Sequence, residues 1–182
     1  LRHSSAASDV YKRQALFSQS YKDLSERPVY KPIKISSSIT FDGKVDLDEW
    51  SNAQVATNFI GSGTFQGEDA LLKTEARLMY DDTNLYISFK AFVDRDELRY
   101  SITKRDNLDD KDDRVWVNID AFDDESLTYG IGVSAGGAQI DGRATYGFDQ
   151  SLDLIYDTKV QIFDNRYEVE MIIPFSSLRY SL

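Results

Sequence analysis

The sequence predicts an all-β chain, a mostly antiparallel two-sheet β-sandwich of jelly-roll or immunoglobulin-like type with one short helix. Three observations predict it. Apolar residues recur at period two in several stretches, most clearly Leu85, Ile87, Phe89, Ala91 and Val93 against Tyr86, Ser88, Lys90 and Phe92. Acidic or Gly-containing turn signals separate these stretches at short intervals, without the alternating helical patterns of a βαβ chain. Eleven Tyr and ten Phe beside only three Pro suit strands.

The elements follow in order. Tyr21 to Lys34, with Pro28 and Pro32, is a polar extended lead-in. Ile39-Thr-Phe41 is a short strand ending in the Asp42-Gly43 turn. Asp46-Leu-Asp-Glu-Trp50-Ser-Asn-Ala53 opens with acidic residues and starts a short helix, with Trp50 and Ala53 facing the core. Gly61 to Asp69 is a flexible loop. Thr74 to Tyr80 and Leu85 to Val93 pair across the Asp81-Asp-Thr-Asn84 connection. Val115, Val117, Ile119 and Ala121 share one face, opposite Trp116, Asn118 and Asp120. Strands over Leu127 to Ser134, Ala138 to Thr145, Leu154 to Phe163 and Tyr167 to Ile173 complete about eight in all. Leu85, Ile87, Phe89, Val115, Val117, Ile119, Val169 and Met171 are the expected interior.

A chain of 182 residues suffices for one domain with a sizeable core, and 41% hydrophobic content fits a globular protein. Its 21 basic and 31 acidic residues give a net charge of −10. That balance argues against nucleic acid and anionic membranes, which require Lys/Arg patches, and suits neutral polar ligands and divalent cations. The absence of Cys excludes disulfides, thiol catalysis and Cys-ligated metals. Leu1 to Gln14 has no apolar period and reads as a translated adaptor, or else as an ordinary disordered N-terminus. Residues 15–32 read as a signal-peptide remnant and lead-in, and 33–182 as the sandwich.

Catalytic constellations are scarce. The single His is His3, so no Ser-His-Asp arrangement forms from the domain. Phosphate and dinucleotide loops are missing. Glycoside hydrolysis needs two carboxylates, but with 31 acidic residues such a pair carries no information. Asp106-Asn-Leu-Asp-Asp-Lys-Asp-Asp113 holds five Asp in eight residues. Asp109, Asp110, Asp112 and Asp113 are candidate ligands for a hard cation such as calcium, or else form a solvated acidic loop. Asp120-Ala-Phe-Asp-Asp-Glu125 is a second such contributor or a polar turn. Sugar binding needs an aromatic face for the pyranose ring and polar groups for its hydroxyls. Trp50 reads as scaffold. Trp116 points away from the apolar face of its strand and is the leading candidate. Tyr146 and Phe148 follow, with Asp141 and Arg143 as polar neighbours, and Tyr100 and Tyr156 are weaker.

Four segments occur in one order: Ile39-Thr-Phe-Asp-Gly-Lys-Val-Asp-Leu-Asp-Glu-Trp50, Tyr80-Asp-Asp-Thr-Asn-Leu-Tyr-Ile-Ser-Phe89, Asp113-Arg-Val-Trp-Val-Asn-Ile-Asp120 and Glu170-Met-Ile-Ile-Pro-Phe-Ser-Ser-Leu178. Together they resemble the family 9 carbohydrate-binding module, in the version that precedes a bacterial outer-membrane β-barrel. The resemblance spans about Ile33 to Leu182. It implies saccharide binding, structural calcium and further strands beyond Leu182, so that the sandwich would be incomplete at its C-terminal end. In sugar-binding members the ligand lies between two Trp. The first falls at Asp110 here, the second would fall beyond Leu182, and a sugar-contacting acid falls near Trp116.

Three functions are therefore expected in order. The first is a non-catalytic module binding a polysaccharide or oligosaccharide, exported to the periplasm, outer membrane or cell surface and serving polysaccharide catabolism. The second is an interaction module of a surface β-barrel with its sugar site lost. The third is part of an enzyme hydrolysing O-glycosyl bonds, which rests on context alone.

Overall fold

A computed structural model describes residues 28–61, 68–107, 109, 111–123, 127–144 and 147–178. The adaptor-like segment 1–14 and residues 15–27 lie outside them, as does most of the Gly61–Asp69 loop.

The elements are β1 (Ile33–Lys34), the single-turn helix α1 (Leu47–Trp50), β2 (Thr74–Tyr80), β3 (Asn84–Ala91), β4 (Arg114–Asp120), β5 (Thr128–Ser134), β6 (Gln139–Ala144), β7 (Phe148–Asp149), β8 (Asp157–Ile162), β9 (Tyr167–Pro174) and a 3₁₀ turn at Phe175–Ser177. They form a five-stranded sheet in the order β1-β2-β3-β9-β8 and a four-stranded sheet in the order β4-β5-β6-β7. The first sheet is mixed, because β1 runs parallel to β2. The second is antiparallel throughout.

Period two delivers the interior. Leu85, Ile87 and Phe89 of β3 pair with Ile173, Met171 and Val169 of β9. Directly opposed residues share a face, and this face meets Val115, Tyr129, Ile131 and Val133 of the four-stranded sheet in one cluster. Five of the eight expected core residues are buried, and Leu85, Val117 and Ile119 pack against them half-buried.

β3 and β9 are buried on both faces. Val45, Trp50, Ala53, Met79 and Tyr86 form a second apolar cluster on the outer face. The segment around α1 supplies its cover. Asp46 caps α1 by accepting from the Asp48 N–H at 3.1 Å, and Trp50 is fully buried beneath it. The expected strand at Ile39–Phe41 does not form. That segment is held by side chains: Thr40 N–H donates to Glu49 Oε1 at 2.9 Å, and Asp42 N–H donates to Glu170 Oε2 at 2.9 Å.

Candidate functional site

The outer face of the four-stranded sheet carries aromatic surface on a bed of glycines. Register places Trp116 opposite Gly132 and Asn118 opposite Gly130. Gly130 in turn faces Gly142, and Ala144 faces Phe148. All of these share a face, pointing away from the core.

The glycines exist there for the rings. A Cβ at Gly130 would come within 2.2 Å of the Trp116 Cζ2, and one at Gly132 within 2.4 Å of its Cε3. The indole thus lies flat along β5, with bare backbone beneath it. Phe148 reaches over Gly142, where a Cβ would stand 2.7 Å from its Cζ. The two rings lie 5.6 Å apart between centroids and are tilted by 59°. Phe148 is 48% exposed, and Trp116 is half-buried because one face of its ring is covered. Trp116 Nε1 donates to Asn118 Oδ1 at 2.7 Å, which fixes the ring's rotation and leaves the exposed Asn118 NH2 to donate outward. Sequence reasoning placed Trp116, Asn118 and Asp120 on one face but did not identify the glycine bed. The Gly-Ile-Gly spacing at 130–132 was the signal: two side chains missing from one face of a strand mark a close approach.

The polar candidates sit elsewhere. Asp141 shares the inward face with Ile131 and is fully buried. It forms an ion pair with Arg105 and accepts from the Leu154 N–H at 2.6 Å. Burial pushes its carboxyl above the ordinary aspartate range, against the pull of the Leu154 N–H and Arg105. This makes Asp141 a scaffold carboxylate. Arg143 lies on the face of β6 opposite to Gly142 and Ala144, paired with Asp149 at 3.2 Å. Tyr156 is also internal, donating its hydroxyl to the carbonyls of Gly132 at 2.9 Å and Ile140 at 3.1 Å, so it braces the sheet from within. Tyr100 is 41% exposed and lies against the β5–β6 turn, where a Cβ at Gly136 would stand 3.2 Å from its Cδ2. Tyr146 lies outside the described residues.

The acidic run forms a hydrogen-bonded turn. Asp109 accepts from the Lys111 N–H at 2.9 Å, and Asp113 accepts from the Arg99 N–H at 2.8 Å. Asp112 is buried; its Oδ1 accepts from Ser101 Oγ at 3.1 Å, whereas its Oδ2 has no hydrogen-bond partner. Among the described residues no three His, Cys, Asp or Glu gather as a metal site, and Asp110 lies outside them. Among the described residues of the run, Asp112 Oδ2 is the buried side-chain oxygen without a hydrogen-bond partner.

Fold and face together define an all-β module that presents an aromatic platform on a rigid sheet. The chain belongs to the carbohydrate family 9 binding domain-like family, whose model matches residues 41–181. Solved structures agree in fold. A family 9 module from Caldicellulosiruptor kristjanssonii in complex with cellotriose aligns at a TM-score of 0.55 and 21% identity, over 79% of this chain and 67% of that one. The module from the same organism in complex with glucose aligns at 0.57 and 21%, over 84% and 72%. A candidate carbohydrate-binding protein from Bacteroides uniformis aligns at 0.60 and 11%, over 80% and 72%. No curated protein matches the chain.

Proposed function

We propose that this chain is a non-catalytic carbohydrate-binding module whose ligand stacks on Trp116 and Phe148. The observation that carries the reading is the glycine bed, which holds an indole flat on a sheet with its other face turned outward. A pyranose ring offers C–H groups to such a face, and its hydroxyls suit donors such as the Asn118 amide. Family membership supports the ligand class, as do the cellotriose and glucose bound by the Caldicellulosiruptor modules. In the same reading the module belongs to an exported bacterial protein that engages polysaccharide outside the cytoplasm, beside a β-barrel partner domain, with calcium as its structural ion.

Titration of the folded protein against soluble glucans, xylans, mannans and galactans tests it, with Trp116→Ala alongside. Stacking on an aromatic ring is worth about 1–3 kcal/mol, by analogy with bases, so the variant should lose most of a weak affinity while melting as the parent does. A second reading is favoured by one residue: Asp110 stands where sugar-binding members carry their first Trp. Absence of binding to every glycan by the folded protein would make the domain an interaction module of its barrel.

A further inference from the structure

The two sheets end in β1, β8, β4 and β7, and these edges are not alike. Strands β1 and β7 are two residues long. Strand β8 carries Asp157 and Lys159 and lies against the Gly43 turn. Strand β4 runs seven residues in unbroken register with β5 and contains neither Pro nor Lys. An edge of that length without such guards is a template for another strand. We propose that it is a self-association surface: a second copy of the chain pairs its β4 antiparallel to the first, about a two-fold axis through Val117. This inference goes beyond the carbohydrate reading and does not depend on it.

The ladder fixes which groups the edge offers. The Ala135 N–H donates to the Asp113 carbonyl at 2.8 Å, and the Ser134 N–H to the Ala138 carbonyl at 2.9 Å. Neighbouring residues of an antiparallel strand turn their N–H and C=O to opposite sides, so odd-numbered residues of β5 bond to β4 and even-numbered ones to β6. Val115, Val117 and Ile119 therefore bond back to β5, whereas Arg114, Trp116, Asn118 and Asp120 turn their backbone toward the edge. Among the described residues, no backbone hydrogen bond outside the β4–β5 ladder involves Arg114, Trp116 or Asn118. The side chains tell the same story. Val117 and Ile119 face the core yet are only half-buried.

Charge selects the register. Hydrogen bonds across the axis must join residues drawn from 114, 116, 118 and 120. With the axis at Val117, Trp116 meets Asn118 of the second copy and Arg114 meets Asp120 of the second copy, each twice by symmetry. On the inner side Val115 meets Ile119, and the two Val117 side chains meet on the axis. Moving the axis to Trp116 would bring Asp120 against Asp112, and moving it to Asn118 would leave Arg114 against Phe122. Directly opposed opposite charges stabilise a strand pair and like charges weaken it. Asp120 accepts from the Phe122 and Asp123 N–H groups at 3.1 and 3.0 Å, which holds the carboxylate at the strand end. A carboxylate has lone pairs for an Arg besides these. In this arrangement the two four-stranded sheets become one continuous sheet, with both Trp116 platforms on one face.

Sedimentation tests the proposal, at about 0.15 M salt, where charges are screened beyond about 8 Å and the −10 of each copy repels least at a distance. A concentration-dependent monomer–dimer equilibrium is expected, in the micromolar range because the contact is small for a specific interface. Arg114→Glu sets like charges together at both ends and should weaken dimerisation on the order of tenfold or more, while in dilute solution it melts as the parent does. The chain has no Cys, so a single introduced thiol reads the register. Val117→Cys places two sulfurs on the axis, where opposed Cα atoms stand about 4.5 Å apart and a disulfide can close. Ile119→Cys is also half-buried, but its two copies stand about 14 Å apart along the strands and should not crosslink. A monomer at every concentration would overturn the proposal and hand the edge to a strand of another protein. Crosslinking by Ile119→Cys as readily as by Val117→Cys, or a dimer indifferent to Arg114→Glu, would place the contact elsewhere and overturn it equally.

Discussion

Gly43 and Glu170 are 127 residues apart in the chain, and the Gly43 N–H donates to Glu170 Oε2 at 2.8 Å in a buried setting. The same carboxylate accepts from the Asp42 N–H and, through Oε1, from Trp50 Nε1 at 3.1 Å. Two positions along β9, Glu168 accepts from the Val45 N–H at 2.7 Å. Both glutamates project from the outer face of the five-stranded sheet and stand in for a missing strand. They satisfy the backbone of residues 42–45, which has no ladder of its own. Gly43 can make the approach because its φ is +91° and the backbone of Lys159 and Val160 lies 3.1 Å from where a Cβ would be. The first and last of the four sequence segments thus meet in space.

Glu170→Ala should be among the most destabilising substitutions in the domain. It leaves two buried donors and one part-buried donor without an acceptor, each buried one costing about 1–3 kcal/mol, and opens a void beside Trp50. A loss of about 3–5 kcal/mol is expected in urea unfolding, with Glu170→Gln milder because one carbonyl oxygen remains. A change below about 1 kcal/mol for the alanine variant would mean that the turn is held by something else.

The pH dependence of the same residue has a defined sign. Burial pushes the Glu170 carboxyl above the ordinary glutamate range, partly opposed by the Gly43 N–H, Trp50 and the Asp42 N–H. The folded state therefore binds this proton more tightly than the unfolded chain does. Its contribution is fully present below the unfolded value near 4.5 and is lost as pH rises through the raised folded value. Asp81 works the other way. Tyr86 and the turn N–H groups of Thr83 and Asn84 hold its carboxyl well below the aspartate range, so its contribution is present above that range and lost on acidification. The stability difference between parent and Glu170→Gln should shrink as pH climbs from about 4.5, and the difference between parent and Asp81→Ala should shrink as pH falls below about 4. Parallel melting curves across that range would contradict both assignments.

The strands were legible because their apolar residues repeat at period two and their turns carry Asp, Asn and Gly, which act locally. Thr74–Tyr80 forms with the expected limits, and the others shift by one to three residues at an end. Ile39–Phe41 read as a strand because its composition is that of one, but Thr40 bonds the Glu49 carboxylate, and the following Asp42 and Gly43 bond Glu170 far along the chain, which no local pattern announces. Asp141 and Arg143 looked like one polar cluster because they are close in sequence. Asp141 in fact reaches inward to Arg105, 36 residues earlier, while Arg143 lies at the exposed edge beside Asp149. The platform was half legible: alternation turned Trp116 outward, whereas its bed depends on the register of β4 against β5.

Calcium should stabilise the protein only through the acidic run. A cation that binds the folded state selectively raises stability by mass action, and Asp112 Oδ2 is the buried oxygen in that run without a partner. Millimolar calcium is expected to raise the melting temperature by several degrees over chelator, and Asp112→Asn should remove that increment. Asp113→Ala is less informative, because it also releases the Arg99 N–H. Identical melts with calcium and with chelator would leave the run as a hydrogen-bonded acidic turn.

The glycine bed predicts a separation between folding and binding. Gly132→Ala places a methyl group 2.4 Å from Trp116 Cε3 and 2.8 Å from the Val115 carbonyl, so the indole must lift off β5 or the strands must part. Overpacking of this kind costs about 1–3 kcal/mol. Gly130→Ala meets the edge of the same ring at 2.2 Å, and its other near contacts are ring atoms, so relief there comes from moving Trp116 and not the sheet. Gly130→Ala should accordingly keep the fold while tilting the indole, and glycan affinity should fall toward that of Trp116→Ala. Trp116→Ala placed on top of Gly130→Ala should cost little further affinity, because both changes act through one ring. Fluorescence supplies an independent readout: with Trp50 buried and unchanged, altered emission in Gly130→Ala reports Trp116. Unchanged emission together with parental affinity would show that the ring does not rest on Gly130, and the platform would have to be rebuilt without it.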